Sequence, residues 1–313
     1  PCSEILLRDR EFCNLSEVVV REEDTLETLT EKVKTATIIG TIQSTLTNFR
    51  YLNRKWQENC EEERLLGVSL TGIMDNTLTN GKTKGLEELL RKLRQVAVDI
   101  NLQWSKKLGI PQSVAITCVK PSGTVSQLVD SASGIHARHN PYYIRTVRAD
   151  KKDPLAKMMY EAGFPVEDDV TKPDHTWVFS FPVKGPKNGI YRKDMTAVEQ
   201  LELWKIYQEN WCEHKPSITV SVKEEEWMGV GAWTYENFDM MSGVSFLPFA
   251  DHTYRQAPYQ DCDKQQYDEL MKKMPSADWS KLSDYEEKDM TAGSQELACS
   301  ADGCEIVDLS SVG

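Results

Sequence analysis

Apolar residues recur every three or four positions in several segments of the chain, with polar residues between them. This spacing places the apolar side chains on one face of a helix, the face that a helix buries. The first such segment follows Asp24, a residue type that caps helix N-termini, and carries Leu26, Leu29, Val33 and Ala36. The second carries Leu86, Leu89, Leu90, Leu93, Val96, Ala97, Ile100 and Trp104. The pattern predicts an amphipathic helix in each segment.

Two further helices are indicated by their start signals. Asp153 followed by Pro154 combines a cap with a residue suited to the first helical position, and Gly163 is typical of a helix end. Thr196 and Glu199 form a capping box ahead of a second apolar run. These signals predict one helix from Pro154 to about Gly163 and another just after Thr196.

Short runs rich in β-branched and aromatic residues lie between the helical segments. They have the length and content of buried strands. The runs are residues 113–119, 176–181, 217–222 and 244–247. Strands that alternate with helices predict an α/β fold with a mostly parallel sheet.

The end of the chain differs in composition from the rest. From about Asp261 it becomes polar and acidic, and the last stretch, TAGSQELACSADGCEIVDLSSVG, is rich in small residues without helical or strand periodicity. We therefore expect a main domain over residues 1–260, a polar acidic connector over 261–290 and a flexible tail over 291–313.

The charge balance restricts the classes of partner. The formal net charge is -12, which gives no general attraction for nucleic acid or for anionic lipid. No stretch approaches the roughly 18 apolar residues of a membrane span, and the first residues lack the form of a signal peptide. We expect a cytoplasmic protein that binds neither nucleic acid nor membrane. Because the first residue is Pro1 rather than Met, we also expect an upstream part to be missing.

Eight cysteines in 313 residues are too sparse and too unevenly spaced for a secreted disulfide scaffold. Cys299 and Cys304 lie in the tail, where two thiols at this spacing can form a small-loop disulfide and exchange with another disulfide. Zinc binding is the competing interpretation, but two cysteines supply only half of a tetrahedral site. We therefore predict no metal site.

A thiol and a carboxylate lie close together at the start of the chain. Cys2 and Glu4 are two residues apart, so in an extended segment their side chains point to the same side and could act on one substrate. Cys13 follows eleven residues after Cys2. The spacing alone also fits three residues with unrelated roles.

A strand-like run ending at residue 119 leads through Lys120 into a turn of small residues and a helix predicted from Val125. Free backbone N–H groups and the helix dipole make such a turn a ready anion site, to which hydroxyl groups can add donors. An ordinary strand-to-helix turn has the same sequence pattern, and the segment is not a Walker loop. The candidate anion-binding residues are Pro121, Ser122, Gly123, Thr124 and Val125.

The phrase PCSEILL followed by FCNL resembles the active-site segment of ribonucleotide reductases, especially the cobalamin-dependent class II enzymes. The Pro-Ser-Gly-Thr turn, the stretch SASGIHARHNPYYIRTVR and the tail cysteine pair resemble that family in the same order. The resemblance extends over nearly the whole chain and is closest to enzymes that use ribonucleoside triphosphates.

The resemblance implies a fold and three chemical roles. Residues 1–260 would form the second half of a ten-stranded α/β barrel with a finger loop at its N-terminus. Cys2 would become the thiyl radical, Glu4 would be the general base, and Cys13 would be one of two thiols that reduce the substrate.

Further roles follow from the same resemblance. The turn at Pro121 would hold the substrate phosphates, and Cys299 with Cys304 would re-reduce the active site and be reduced by a thioredoxin-like protein. Adenosylcobalamin would generate the radical, because the chain shows neither the tyrosine pair of class I nor the glycyl-radical motif and zinc site of class III. His136, Arg138, His139 and Arg145 are candidates for the electropositive side of the site, with a structural role equally open. We expect no role for Cys60, Cys118, Cys212 and Cys262.

The resemblance leaves two alternatives. The family has an asparagine ahead of the radical cysteine and a second reducing cysteine far upstream, so this chain could be a non-catalytic fragment or split subunit, active only with an N-terminal half. A stand-alone thiol-disulfide oxidoreductase using Cys299 and Cys304 is the other alternative. It is disfavoured because no Cys-x-x-Cys precedes a helix.

Overall fold

The computed structural model describes residues 2–249 and 255–286. Its strands are β1 (Asn14–Val19), β2 (Leu66–Thr71), β3 (Thr117–Cys118), β4 (Tyr142–Asp150), β5 (Val166–Asp168), β6 (Thr176–Lys184), β7 (Ile218–Val222), β8 (Val244–Pro248) and β9 (Tyr259–Asp261). Its helices are α1 (Leu26–Gln43), α2 (Arg54–Glu63), α3 (Leu86–Leu108), α4 (Gly123–Leu128), α5 (Pro154–Glu161), α6 (Ala197–Asn210), α7 (Trp227–Glu236), α8 (Lys264–Lys273) and α9 (Leu282–Tyr285).

These residues form two compact units. One comprises residues 2–138 and 186–249, and the other comprises 139–185 and 255–286. The predicted boundaries at 260 and 290 stay predictions. Residues 139–185, however, lie inside the predicted main domain and belong to the second unit, and α8 and α9 lie in the predicted connector.

The first unit contains a parallel sheet with the strand order β1-β2-β3. β1 and β2 pair over six residues, from Asn14↔Leu66 to Val19↔Thr71. Parallel neighbours need crossover connections, which α1 and α2 supply between β1 and β2 and α3 supplies between β2 and β3. All six residues of β2 are buried, as expected for a strand covered on both faces.

Helices α1 and α3 pack against each other, and α1 also packs on β1 and β2. The predicted apolar faces of both helices are buried in one core, with Leu29 and Val33 from α1 and Leu90 and Leu93 from α3. Full burial of one such side chain stabilises a fold by roughly 1.5–3 kcal/mol. The prediction of both helices is confirmed.

The cap of α1 is one residue later than predicted. Thr25 is the N-cap, and its side chain accepts a hydrogen bond from the backbone N–H of Thr28. Asp24 instead accepts from the backbone N–H of Arg21 and forms a 2.6 Å ion pair with Lys32. The prediction of Asp24 as the cap was wrong because its carboxylate closes the turn before the helix. The predicted caps of α5 and α6 are confirmed.

A second parallel pair, β7 and β8, belongs to the same unit. An isolated bridge between Val119 and Pro216 links the end of β3 to the start of β7. Two fully buried tryptophans lie at this junction: the indole N–H of Trp204 donates to the carbonyl of Pro216, and that of Trp211 donates to the carbonyl of Cys118. Both rings therefore fill the core without an unsatisfied donor.

The second unit contains an antiparallel sheet in the order β5-β6-β4-β9. β4 and β6 pair over nine residues, from Tyr142↔Lys184 to Asp150↔Thr176. The unit has its own apolar core, formed by Ala156, Met159, Phe164 and Phe179.

The predicted α/β class is confirmed. A mostly parallel sheet is correct for the first unit but wrong for the second, because periodicity locates strands without fixing their direction. The sheets of the described residues have three, four and two strands, and none of them closes on itself. In the same residues, no helix combines the length and the apolarity needed to cross a membrane.

Candidate active site

A buried carboxylate, an exposed thiol and a lysine meet in the first unit. Nζ of Lys120 lies 3.1 Å from Oε1 of Glu4 and 3.9 Å from Sγ of Cys2. Glu4 is fully buried, whereas Cys2 is exposed. The structure thus brings Cys2 and Glu4 together with the residue that precedes the predicted anion-binding turn.

The backbone around this cluster is held by neighbouring strands and loops. The N–H of Lys120 donates to Oγ of Ser69 on β2 at 2.9 Å, and the N–H of Lys215 donates to the carbonyl of Glu4 at 2.9 Å. Gly134 packs against Lys120 from another side. A Cβ at position 134 would lie 2.4 Å from the carbonyl oxygen of Lys120, and the φ of +54° also favours glycine there.

The pKa of Lys120 is raised above its ordinary value. Burial acts to lower this pKa, but the hydrogen bond to Glu4 and the charge of the Glu4 carboxylate outweigh it. Lys120 is therefore an ammonium ion throughout the neutral pH range. Its charge offsets the cost of burying the Glu4 carboxylate away from water.

Cys13 lies just before β1, beside a small apolar cluster of Ile5, Leu65 and Cys118. Burial raises the pKa of the Cys13 thiol to about 12, and the negative charge of Glu4 adds to the increase. Cys13 also lines a cavity of about 270 Å³. At neutral pH it is a protonated thiol, the form that can donate a hydrogen atom.

The turn after β3 contains the predicted anion-binding residues. α4 begins at Gly123, two residues earlier than predicted, and Ser122 is its N-cap residue. Gly123, Thr124 and Val125 are exposed, and the first N–H groups of a helix have no partner within that helix. The N–H of Gly123 donates to the carbonyl of Pro121 at 3.1 Å, so the N–H groups of Thr124 and Val125 are the backbone donors that remain at the helix start.

The hydroxyl of Ser122 has a different partner from the predicted anion. Ser122 is 4% exposed, and its Oγ donates to Oε2 of Glu17 at 2.8 Å. Burial raises the pKa of Glu17, although the hydrogen bond from Ser122 and the charge of Lys120 act to lower it. In this structure Glu17 accepts the hydrogen bond of the Ser122 hydroxyl, and the role of Ser122 in anion binding stays a prediction.

Two of the four candidate basic residues have structural roles. Arg138 is buried and pairs with Asp75, with 2.8 Å between Nε and Oδ1. His136 accepts a hydrogen bond from the backbone N–H of Thr219, and burial lowers its pKa, so it is neutral at pH 7. Both side chains are thus engaged by residues of the fold.

The other two basic candidates, His139 and Arg145, lie in the second unit. Nε2 of His139 lies 2.6 Å from Asp261. Arg145 donates to the carbonyl of Pro258 and lies over the ring of Tyr259.

Four of the six remaining cysteines lie in the described part of the chain. Cys60, Cys118 and Cys212 are buried free thiols, and Cys262 is half-buried. Cys299 and Cys304 lie outside the described residues. Within those that are described, no three His, Cys, Asp or Glu side chains lie close enough together to hold a metal ion.

Sequence reasoning missed two residues of this site, Lys120 and Glu17. Lys120 directly precedes the Pro-Ser-Gly-Thr turn, and this position was the available signal for it. Glu17 follows Cys13 by four residues but carries no motif of its own.

The fold is that of a known class of enzyme. The chain superposes on a B12-dependent (class II) ribonucleotide reductase with a TM-score of 0.78 and 24% sequence identity, over 92% of this chain and 44% of that one. No protein-family model matches the sequence.

Curated relatives agree with this class. The chain is 31% identical over 283 residues to the adenosylcobalamin-dependent ribonucleoside-triphosphate reductase of Euglena gracilis, which covers 88% of this chain and 37% of that protein. It is 29% identical over 314 residues to a probable enzyme of the same name from Dictyostelium discoideum, over 98% of this chain and 40% of that protein. The resemblance inferred from the sequence is confirmed, and the chain spans about two fifths of the length of these relatives.

Proposed function

We propose that this chain is the part of an adenosylcobalamin-dependent ribonucleoside-triphosphate reductase that carries the radical thiol, the general base and one reducing thiol. One observation carries the proposal: Lys120, next to the anion-binding turn, contacts both Cys2 and Glu4, at 3.9 and 3.1 Å. A substrate whose phosphates bind at the turn would therefore have its ribose within reach of the thiol and the carboxylate. The likeness to the curated relatives supports this assignment.

In the proposed reaction, the thiyl radical of Cys2 takes the hydrogen atom from C3′ of the ribose, so that an S–H bond forms and C3′ carries the unpaired electron. Glu4 accepts the proton of the 3′-hydroxyl, which eases loss of the 2′-hydroxyl as water. Cys13 and a second thiol supply two electrons and become a disulfide, and Cys2 returns the hydrogen atom to C3′. The balance is one ribonucleotide and two thiols giving one deoxyribonucleotide, one disulfide and water.

The substrate phosphates are assigned to the backbone of the turn. The exposed residues Thr124 and Val125 supply N–H groups at a helix start. The N–H of Gly123 donates to Pro121, but a Cβ at Gly123 would meet no atom within 4 Å, so the backbone there is open to a ligand. Pro121 and Ser122 shape the turn, since the Ser122 hydroxyl is held by Glu17. Triphosphates are the proposed substrates because the relatives are named for them.

Adenosylcobalamin would supply the one-electron oxidation of Cys2. The exposed Cys2 sulfur fits this chemistry because a radical generator can approach it. The cavity beside Cys13 measures about 270 Å³, which is too small for a corrin ring and its nucleotide tail. This cavity is therefore not assigned to cobalamin, and no described residue is assigned to its binding.

The finer fold assignment is also a proposal. The parallel strands β1, β2, β3, β7 and β8 would form part of a ten-stranded α/β barrel that a separate N-terminal half completes, with the segment from Cys2 to Cys13 as one limb of the finger loop. The structural likeness over 44% of a class II reductase supports this proposal.

The remaining assignments concern regeneration and compartment. Cys299 and Cys304, in the proposed redox tail, would re-reduce the disulfide formed by Cys13 and would themselves be reduced by a thioredoxin-like protein. The product would supply DNA synthesis. The free cysteines of the described residues fit a reducing compartment such as the cytoplasm.

The test combines this chain with a matching N-terminal half and measures adenosylcobalamin-dependent conversion of CTP to dCTP. We expect activity only in the mixture, loss of activity in Cys2→Ala, and unchanged activity in the control Cys262→Ala. Activity that survives in Cys2→Ala would refute the radical assignment.

The alternative is that this chain is a non-catalytic fragment. It is supported by the finding that the chain spans only about two fifths of the length of its relatives. Size-exclusion chromatography with and without the N-terminal half addresses it. A complex that forms but does not convert CTP would favour this alternative.

A further inference from the structure

The two oxygens of the Glu4 carboxylate differ in their surroundings. Oε1 accepts a hydrogen bond from Nζ of Lys120 at 3.1 Å. Oε2 is buried and has no hydrogen-bond partner among the residues that the structure describes. Buried polar atoms are nearly always paired, so an unpaired carboxylate oxygen beside a reactive thiol indicates that a ligand group completes it.

The position of the Lys120 ammonium group is well defined. Its backbone is anchored to Ser69 and packed against Gly134, and its Nζ contacts both Glu4 and Cys2. Glu4 is fully buried and Lys120 has a side chain that is 27% exposed, so the ion pair is largely shielded from water. Shielding strengthens the attraction that keeps the carboxylate in one orientation.

We infer that Lys120 is a positioning residue of the active site, which holds Oε1 of Glu4 so that Oε2 accepts the proton of the substrate hydroxyl. This inference rests on the proposed function. In the step concerned, the O–H bond of the 3′-hydroxyl breaks and an O–H bond forms at Oε2, while Lys120 keeps its protons. Lys120 contacts the base and not the reacting oxygen.

The orientation of the Glu4 carboxylate should affect the rate of the chemical step more than the affinity for the substrate. Misplacing a reacting group by about 1 Å can lower a rate roughly 100-fold, whereas the phosphates bind elsewhere, at the turn. Removing the ammonium group should therefore lower kcat and leave KM for CTP nearly unchanged. A role of Lys120 in binding phosphate would instead raise KM.

The experiment uses this chain combined with a matching N-terminal half. We expect Lys120→Met to lower kcat for CTP roughly 10- to 100-fold with KM within about twofold of wild type. Lys120→Arg should have a kcat between those of wild type and Lys120→Met, and added propylammonium should restore activity to Lys120→Ala in a saturable way. The matched control is Lys92→Met, which removes an exposed lysine paired with Glu88 at 2.7 Å on α3 and should leave both constants unchanged.

Two outcomes would overturn the inference: a kcat of Lys120→Met within about twofold of wild type, or a raised KM at unchanged kcat. Thermal unfolding shows whether each variant is folded. If Lys120→Met and Lys120→Ala unfold, the kinetics of Lys120→Arg are the test. A lower kcat at unchanged KM supports the inference, and an unchanged kcat overturns it. Cys2→Ala distinguishes failure of the proposed function from failure of this inference. If Cys2→Ala is active, the proposed function fails. If Cys2→Ala is inactive while Lys120→Met keeps its kcat, only the positioning role of Lys120 fails.

Discussion

The hydroxyl of Ser122 donates a hydrogen bond of 2.8 Å to Oε2 of Glu17, across 105 residues of sequence. Ser122 lies in the turn after β3 and Glu17 lies on β1, so the contact links the proposed phosphate-binding turn to the strand that follows Cys13. Burial raises the pKa of Glu17, with the hydrogen bond from Ser122 acting in the opposite direction. The burial of Glu17 therefore gives the folded state a pH dependence that a surface glutamate would not give.

We predict that Glu17→Gln becomes more stable relative to wild type as the pH rises above 4.5, the ordinary pKa of glutamate. The unfolded chain releases the Glu17 proton near this pH, while the folded chain holds it to a higher pH. The stability contributed by the protonated group is therefore fully present below 4.5 and is lost as the pH rises through the folded pKa. The amide introduced by Glu17→Gln keeps an acceptor for Ser122 and has no such proton to lose.

Urea unfolding at pH 4 and pH 8 measures this effect, with Glu23→Gln, at an exposed position, as the control. An identical difference in unfolding free energy between Glu17→Gln and wild type at both pH values would contradict the prediction.

Because Gly67 on β2 has no side chain, Cys13 and its neighbours can pack close to its backbone. A Cβ at position 67 would lie 2.5 Å from Cδ2 of Leu15, 2.9 Å from Cδ1 of Ile5 and 3.3 Å from Sγ of Cys13. We predict that Gly67→Ala lowers the free energy of unfolding by about 1–3 kcal/mol, because these side chains must shift in a packed region.

The control for Gly67→Ala is Gly40→Ala on α1, where a Cβ would meet no atom closer than 3.5 Å. Since alanine is favoured over glycine inside a helix, this variant should gain roughly 0.5–1 kcal/mol. Urea denaturation of both variants is the measurement. A Gly67→Ala protein as stable as wild type would show that the space around Cys13 is not tightly packed.

The helices could be predicted because their signals are local. The faces of α1 and α3 repeat every three or four residues, and the caps Asp153 and Thr196 lie next to the helices that they start. β2 carries Gly67 and Ser69 among its apolar residues, so the run lacks the β-rich composition used to find strands, although all of it is buried. β4 was missed for a related reason, since Arg145 and Arg148 interrupt its apolar pattern.

The site could be predicted only in part. The nearness of Cys2 and Glu4 follows from their two-residue spacing, but the segment is not extended as expected, because Ser3 between them has a φ of +63°. The turn at Pro121 follows from a strand-turn-helix pattern. The partners of these groups come from far away in sequence: Lys120 is 116 residues from Glu4. Such contacts depend on how β3 is placed beside the N-terminal segment. Local periodicity in the sequence does not predict this placement.

The two thiols assigned to the chemistry differ in their access to solvent. Cys2 is exposed, whereas burial and then the charge of Glu4 raise the pKa of Cys13 to about 12. Since only a thiolate reacts with iodoacetamide, the raised pKa of Cys13 makes its alkylation slow at pH 8. We predict that Cys2 is alkylated well before Cys13, as measured by mass spectrometry of peptides over time.

A variant tests the electrostatic part of this prediction. Glu4→Gln removes a negative charge that raises the pKa of Cys13, so alkylation of Cys13 should become faster while burial still keeps it slower than that of Cys2. Equal alkylation rates at Cys2 and Cys13 in the wild-type chain would contradict the lower accessibility and raised pKa of Cys13.

Arg138 and Asp75 form a buried ion pair, with exposures of 6% and 3%. Nε and Nη2 of Arg138 donate to the two carboxylate oxygens of Asp75 at 2.8 and 3.0 Å, and the backbone N–H of Ala132 also donates to Asp75. We predict that Arg138→Met lowers the free energy of unfolding by about 3–5 kcal/mol, because it leaves the Asp75 charge buried without its partner.

The double variant Arg138→Met with Asp75→Asn separates the cost of the stranded charge from the value of the pair. It should be more stable than Arg138→Met alone, since no charge remains buried. The exposed control is Arg54→Met, whose guanidinium pairs with Glu58 at the surface and should contribute less than about 1 kcal/mol. Urea unfolding of the three variants gives the comparison. If Arg138→Met costs no more than Arg54→Met, Arg138 is not a structural residue and its candidacy for the ligand site reopens.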